Sequence, residues 1–181
     1  LAKDVLKGTG IQVASTLNFP QANDTLDMKL AALKEMIKTG VDQFDFPPNP
    51  GLLIGGEEKA YFEEMKQIVE VAHASGVIVK SMLEFGFLNE EQKKKAAQLA
   101  CEAGIDWVKQ SSGWGVGGCA ATVEDVKILK ENISLPCRVK VSGKVNSLEK
   151  MKMMFEAGAE LVGTSSGPEI IEGLIGDPNA Y

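Results

Sequence analysis

The sequence predicts an α/β protein whose parallel strands, wrapped by outer helices, form a TIM (β/α) barrel. Three observations predict it. First, glycines stand behind helix-like stretches at Gly10, Gly40, Gly76, Gly104 and Gly158, with gaps of 30, 36, 28 and 54 residues, the last about two units. A glycine at a helix C-terminus takes the left-handed conformation without a Cβ penalty, so helix, Gly, strand is a physical αβ junction. Second, each glycine precedes a short apolar run rich in Val and Ile, as buried parallel strands are. Third, polar residues stand where these runs end: Asn18, Asp45 with Asn49, Glu84, Lys109, Lys140 and Ser165. A barrel gathers such residues at one mouth, where active sites form.

The strands are predicted at residues 11–16, 41–46, 77–84, 105–110, 137–142 and 159–165. Between them lie amphipathic helices. Leu26, Leu30, Leu33 and Ile37 recur at helical spacing. Asn89 is a cap candidate before two acidic first-turn residues. Thr122 precedes Asp125 by three residues, an imperfect capping box, and Ser147 caps a helix whose apolar face is Met151, Met154 and Phe155. Alternating strands and helices close either as an open doubly wound sheet or as a barrel. No GxGxxG follows the first strand, which argues against the dinucleotide-binding version of the open sheet.

Composition bounds the function. The chain has 181 residues, 44% of them hydrophobic and 24% charged, with a net charge of −6. This describes one soluble globular domain over residues 1–181 and excludes a disordered chain or a small disulfide scaffold. No apolar run approaches the roughly 20 residues of a membrane helix. The first residues lack the apolar stretch of a signal peptide. The acidic balance argues against general nucleic-acid or anionic-membrane binding. Cys101, Cys119 and Cys137 show no CxxC spacing and read as free thiols in a reducing cytoplasm. With His73 as the single histidine, neither a His-rich metal site nor a Ser-His-Asp triad is expected. His73 itself reads as a solvated or helix-capping residue.

Lys109 and Lys140 end successive strands. A lysine among Val, Trp and Ile pays desolvation, which favours the neutral amine, and a second ammonium adds to this. A neutral amine attacks a carbonyl and forms a Schiff base without a metal. The structural alternative is a pair of snorkelling lysines with heads in water. Asp45 lies opposite Phe44 and Phe46 in period 2, where it can relay protons or form an ion pair. Lys80 and Glu84, four apart on one strand, read as a structural pair. The segment GTSSG (163–167), followed by Pro168, and the segment VSGK (141–144) on the preceding strand suit a phosphate.

In order along the chain, VLKGTG (5–10), NFP (18–20), DQFDFPPNPG (42–51), VKSMLE (79–84), EAGIDWVKQSSGWG (102–115), GGCAATVEDV (117–126), VKVSGKVNSLE (139–149) and EAGAELVGTSSG (156–167) resemble the deoxyribose-phosphate aldolases. These are class I aldolases on a TIM barrel. The resemblance implies that Lys109 is the Schiff-base lysine, Lys140 the lysine that tunes it, and Asp45 the carboxylate of the proton relay. It implies a phosphate cradle at Gly143, Lys144, Gly163, Thr164, Ser165 and Ser166, and no cofactor. The implied reaction is the reversible cleavage of 2-deoxy-D-ribose 5-phosphate to D-glyceraldehyde 3-phosphate and acetaldehyde. A homo-oligomer is compatible with it.

The chain departs from the family pattern at Gln110, where a small hydroxyl is usual, at Lys144 for glycine and at Asn146 for arginine. Pro47 and Pro48 replace apolar strand residues, and the 117–126 loop is longer than usual. Six strands rather than eight are countable, and the chain opens on Leu1. The resemblance therefore implies a barrel without its first two βα units, including an aspartate of a DHT motif. These departures motivate two alternatives: a catalytically silent sugar-phosphate-binding relative, and a class I aldolase with a different acceptor aldehyde.

Overall fold

Each apolar run forms a strand, somewhat shorter than the run itself. In the computed structural model, which describes residues 1–177, these are β1 (Ala14–Thr16), β2 (Gln43–Phe46), β3 (Ile78–Met82), β4 (Trp107–Lys109), β5 (Arg138–Ser142) and β6 (Leu161–Gly163). They pair in parallel and in sequence order, from β1 to β6. The register sets Asp45 beside Lys80, Met82 beside Lys109 and Lys109 beside Lys140. Residues of β1 and of β6 line one shared cavity, so the sheet curls into a partial barrel.

The helices are α1 (Ala2–Val5), α2 (Leu26–Lys38), α3 (Pro50–Ile54), α4 (Glu58–His73), α5 (Glu90–Glu102), α6 (Val123–Asn132), α7 (Leu148–Glu156) and α8 (Gly167–Ile171), with a 3₁₀ turn at Phe85–Phe87. Local chemistry starts most of the longer ones. Thr25, Asn89, Thr122 and Ser147 each accept a backbone N–H at their helix start, and Asn89 forms a full capping box with Gln92. Helix α4 has no such side-chain cap. Its apolar stripe of Tyr61, Met65, Ile68 and Ala72 holds it to the sheet instead. Asn49, read as a mouth residue, caps α3 by accepting from the N–H of Gly51.

Period 2 places the core. Phe44, Phe46, Val79, Val108, Val139 and Val141 are wholly buried. Burial of each such side chain contributes about 1.5–3 kcal/mol. At the N-terminal ends of the strands, carboxylates tie neighbours together. Asp42 accepts from the N–H of Val13 at 2.7 Å, and Asp106 accepts from that of Val79 at 2.8 Å. His73 lies 2.9 Å from Asp106, so it has a specific partner rather than only solvent.

A buried ion pair fixes two loops at the other end. Lys29 donates to Glu64 and to the carbonyl of Ala22, both at 2.8 Å. Glu64 also accepts from the N–H of Asn49 at 2.9 Å. The loops after β1 and β2 are thereby pinned to α2 and α4. Every charge in this group has hydrogen-bond partners, the condition under which burial of an ion pair is tolerated.

Candidate active site

The C-terminal ends of the strands converge on a cavity of about 470 Å³. Thr16 comes to it from β1, Asp45 from β2, Met82 from β3, Lys109 from β4, Lys140 from β5, and Gly163 with Thr164 from β6. Phe19 and Trp114, with ring centroids 5.9 Å apart, form part of its wall.

Three amines surround one carboxylate, and two of them, with the carboxylate, line the cavity. Lys140 Nζ stands 2.6 Å from Asp45 Oδ2, and Lys109 Nζ stands 3.2 Å from the same oxygen. Lys80 Nζ stands 3.0 Å from Oδ1 and also donates to Gln43. The snorkelling alternative for Lys109 is excluded, because the residue is only 2% exposed. Burial pushes the Asp45 carboxyl up, but the ammoniums of Lys140, Lys109 and Lys80 outweigh it and hold the group at about 2. Desolvation pulls the Lys80 amine down; Asp45 opposes this and the neighbouring Lys140 and Lys109 reinforce it.

The expected Lys80–Glu84 pair is not what forms. Glu84 lies beyond β3 in the left-handed region, with φ 48°, so strand alternation no longer governs its direction. Its carboxylate accepts from Ser111 and from the N–H of Ser112, while Lys80 turns to Asp45. Burial raises the Glu84 carboxyl, against the hydrogen bonds of Ser112 and Ser111.

The expected phosphate residues divide. Gly163 and Thr164 line the cavity. Thr164 Oγ1 donates to the carbonyl of Val145 at 2.6 Å and accepts from the N–H of Ser166 at 3.0 Å. Ser166 is buried and Ser165 exposed. Lys144 lines a separate groove with Ala120, Val123 and Met153, between α6 and α7. Asn146 is buried: it donates to the carbonyl of Gly176 and accepts from Lys150. Gln110 is fully buried and donates to the carbonyl of Ser142, which ties the ends of β4 and β5 together.

Gly143 joins the two sides of the mouth. Its carbonyl accepts from the N–H of Ala121 at 2.9 Å, its φ is 97°, and a Cβ there would lie 2.5 Å from the carbonyl of Cys119. Gly143→Ala therefore displaces the 119–121 segment. We expect a loss of about 1–3 kcal/mol in urea unfolding, the range for a non-glycine residue forced into such a conformation.

Lys80, Thr16, Met82 and Trp114 were not singled out for this site by their local sequence. For Lys80 a signal existed: period 2 combined with in-register parallel pairing places it next to Asp45. Trp114 sits in a loop whose path depends on contacts far away in sequence, and it gave no comparable signal.

No protein-family model matches the chain. Individual relatives do. A deoxyribose-phosphate aldolase of Thermococcus kodakarensis is 39% identical over 175 residues, covering 96% of this chain and 77% of the relative. That of Staphylococcus carnosus is 41% identical over 177 residues, covering 97% and 78%. Among solved structures, the tetrameric deoxyribose phosphate aldolase of Aeropyrum pernix matches with a TM-score of 0.84 at 26% identity, over 94% of this chain and 70% of that one. The lysine and carboxylate arrangement at the mouth of a parallel barrel and these near full-length likenesses agree: the chain belongs to the deoxyribose-phosphate aldolase family.

Proposed function

We propose that this protein is a class I aldolase that reversibly cleaves 2-deoxy-D-ribose 5-phosphate to D-glyceraldehyde 3-phosphate and acetaldehyde, with Lys109 as nucleophile, Lys140 and Asp45 as its proton-handling partners. One observation carries the assignment: Lys109 and Lys140 converge on the same buried oxygen of Asp45. The Lys109 amine attacks the C1 aldehyde of the open-chain sugar, and loss of water leaves an iminium. The C3 hydroxyl gives up its proton as the C2–C3 bond breaks, and the electron pair passes into the C1–C2 enamine. Glyceraldehyde 3-phosphate departs. Protonation at C2 and hydrolysis then release acetaldehyde and restore the amine. Asp45 Oδ2, within hydrogen-bond reach of both amines, supports a proton relay between them.

The same proposal includes phosphate recognition by the backbone around Gly143 and Lys144, with Gly163, Thr164, Ser165 and Ser166. Gly163 and Thr164, which line the same cavity as Lys109, support it most directly. A homo-oligomer belongs to the same proposal and is supported by the tetrameric Aeropyrum pernix relative. A cytoplasmic location is supported by the three free cysteines. No helix among the described residues is long and apolar enough to cross a membrane.

The test is a retro-aldol assay that detects glyceraldehyde 3-phosphate, run with 2-deoxyribose 5-phosphate and with unphosphorylated 2-deoxyribose. Cleavage with a strong preference for the phosphate is expected. Binding without cleavage would make the protein a silent relative, and equal rates would point to another acceptor.

A further inference from the structure

We propose that Glu84 and Ser111 are positioning residues that clamp the loop of residues 112–119, so that Trp114 stands as a wall of the cavity beside Lys109. The kinetic part of this inference rests on the aldolase reading; the clamp itself does not.

Glu84 holds a backbone conformation that non-glycine residues rarely adopt, and only 5% of it is exposed. The conformation turns its carboxylate away from the strand direction and into the loop that follows β4. There it accepts from Ser111 Oγ at 3.1 Å and from the N–H of Ser112 at 3.1 and 3.2 Å. Ser111 Oγ is itself a junction. It accepts from the N–H of Gly113 and from the N–H of Cys119, both at 2.9 Å. One hydroxyl thus fastens both ends of the segment that carries Trp114, and one carboxylate orients that hydroxyl.

The donors around Glu84 need acceptor oxygens. The single proton of Ser111 goes to Glu84 while its oxygen serves two amides, and the N–H of Ser112 needs an acceptor as well. A carboxylate offers acceptors only; a glutamine would bring an NH₂ group against one of these donors. Trp114 is 58% exposed, so packing alone holds it weakly. On the other side the turn at Phe85–Phe87 leaves the loop no slack: a Cβ on Gly86 would lie 2.5 Å from the carbonyl of Gly117. Neither residue touches the reacting atoms in this account. Both act through the loop.

The test compares Glu84→Gln, Ser111→Ala and the double variant by amide hydrogen exchange and by steady-state cleavage of 2-deoxyribose 5-phosphate. In Glu84→Gln, peptides covering 110–120 should exchange about tenfold faster, as loss of a buried hydrogen bond implies, with β5 unchanged. KM should rise about tenfold while kcat changes less, because Lys109 keeps its own bond to Asp45 and only the pocket wall is loosened. Ser111→Ala should shift both readouts the same way and less far. The double variant should be no worse than Glu84→Gln alone, since the two residues act as one unit.

Unchanged exchange in 110–120, additive losses in the double variant, or a fall in kcat with KM unchanged would each overturn the proposal. If Glu84→Gln fails to fold, Ser111→Ala decides it by the same two readouts. Absence of cleavage by the unmodified protein would count against the aldolase reading, and the exchange measurements would still decide the clamp.

Discussion

Replacing Lys109 with leucine should abolish cleavage, by about three orders of magnitude or more, while the fold survives. The expected loss is large because nothing else at the mouth can take over the covalent step from the same position. Lys140 and Lys80 are also amines, but each sits at a different point around Asp45. The fold should survive for an electrostatic reason. The cluster holds three amines and one carboxylate, so removing one amine relieves like-charge crowding, and Asp45 keeps Lys140 and Lys80 as partners. Leucine also matches the apolar stem of the lysine and lies beside Met82 of the neighbouring strand. Circular dichroism should be unchanged. A native spectrum together with retained activity would contradict Lys109 as the nucleophile; a lost spectrum would contradict the electrostatic account of the cluster.

Asp45→Asn should produce the largest stability change. The carboxylate is the counter-charge that permits three lysines to gather around it, two of them almost wholly buried. Breaking a buried ionic group by removing one partner costs about 3–5 kcal/mol, because the remaining charges are left uncompensated. Urea unfolding at neutral pH should show a loss of that order. The penalty should shrink as pH rises past about 10, where the lysines are neutral in the unfolded chain as well. At the acid end the signs reverse. The folded Asp45 carboxyl, held at about 2, lies below its ordinary value of 3.8, so it contributes stability that is present above that value. This contribution is lost as pH falls from about 4 towards about 2. The wild type should therefore lose more stability in that window than Asp45→Asn does. Activity should fall about 10²–10⁴-fold, the usual cost of removing a proton-transfer partner. Equal stability of variant and wild type at neutral pH would contradict the role of Asp45 as the counter-charge.

Much of the architecture was legible because it rests on local rules. Asn89, Thr122 and Ser147 announce helix starts since a cap needs only its own side chain and an N–H two or three residues on. Asp45, Lys109 and Lys140 could be placed together because they end strands of a parallel sheet and period 2 turns them to one face. Legibility failed where a partner lies far along the chain. Lys29 and Glu64 are 35 residues apart, and nothing near either residue marks the other. Strand periodicity pairs Lys80 with Glu84, but the strand ends at Met82 and the left-handed turn at Glu84 breaks the alternation. Lys144 and Asn146 stand in the loop after β5, yet Lys144 lines the α6–α7 groove and the Asn146 amide holds Gly176. Position in a motif predicted the neighbourhood of these side chains but not their direction.

Which of the three clustered amines is the nucleophile is tested most directly by treating the protein with acetaldehyde and sodium borohydride, then measuring intact mass and mapping peptides. A single reduced adduct is expected, an ethyl group on the amine of Lys109. An ethyl group on Lys80 or Lys140 instead, or none at all, would contradict that assignment.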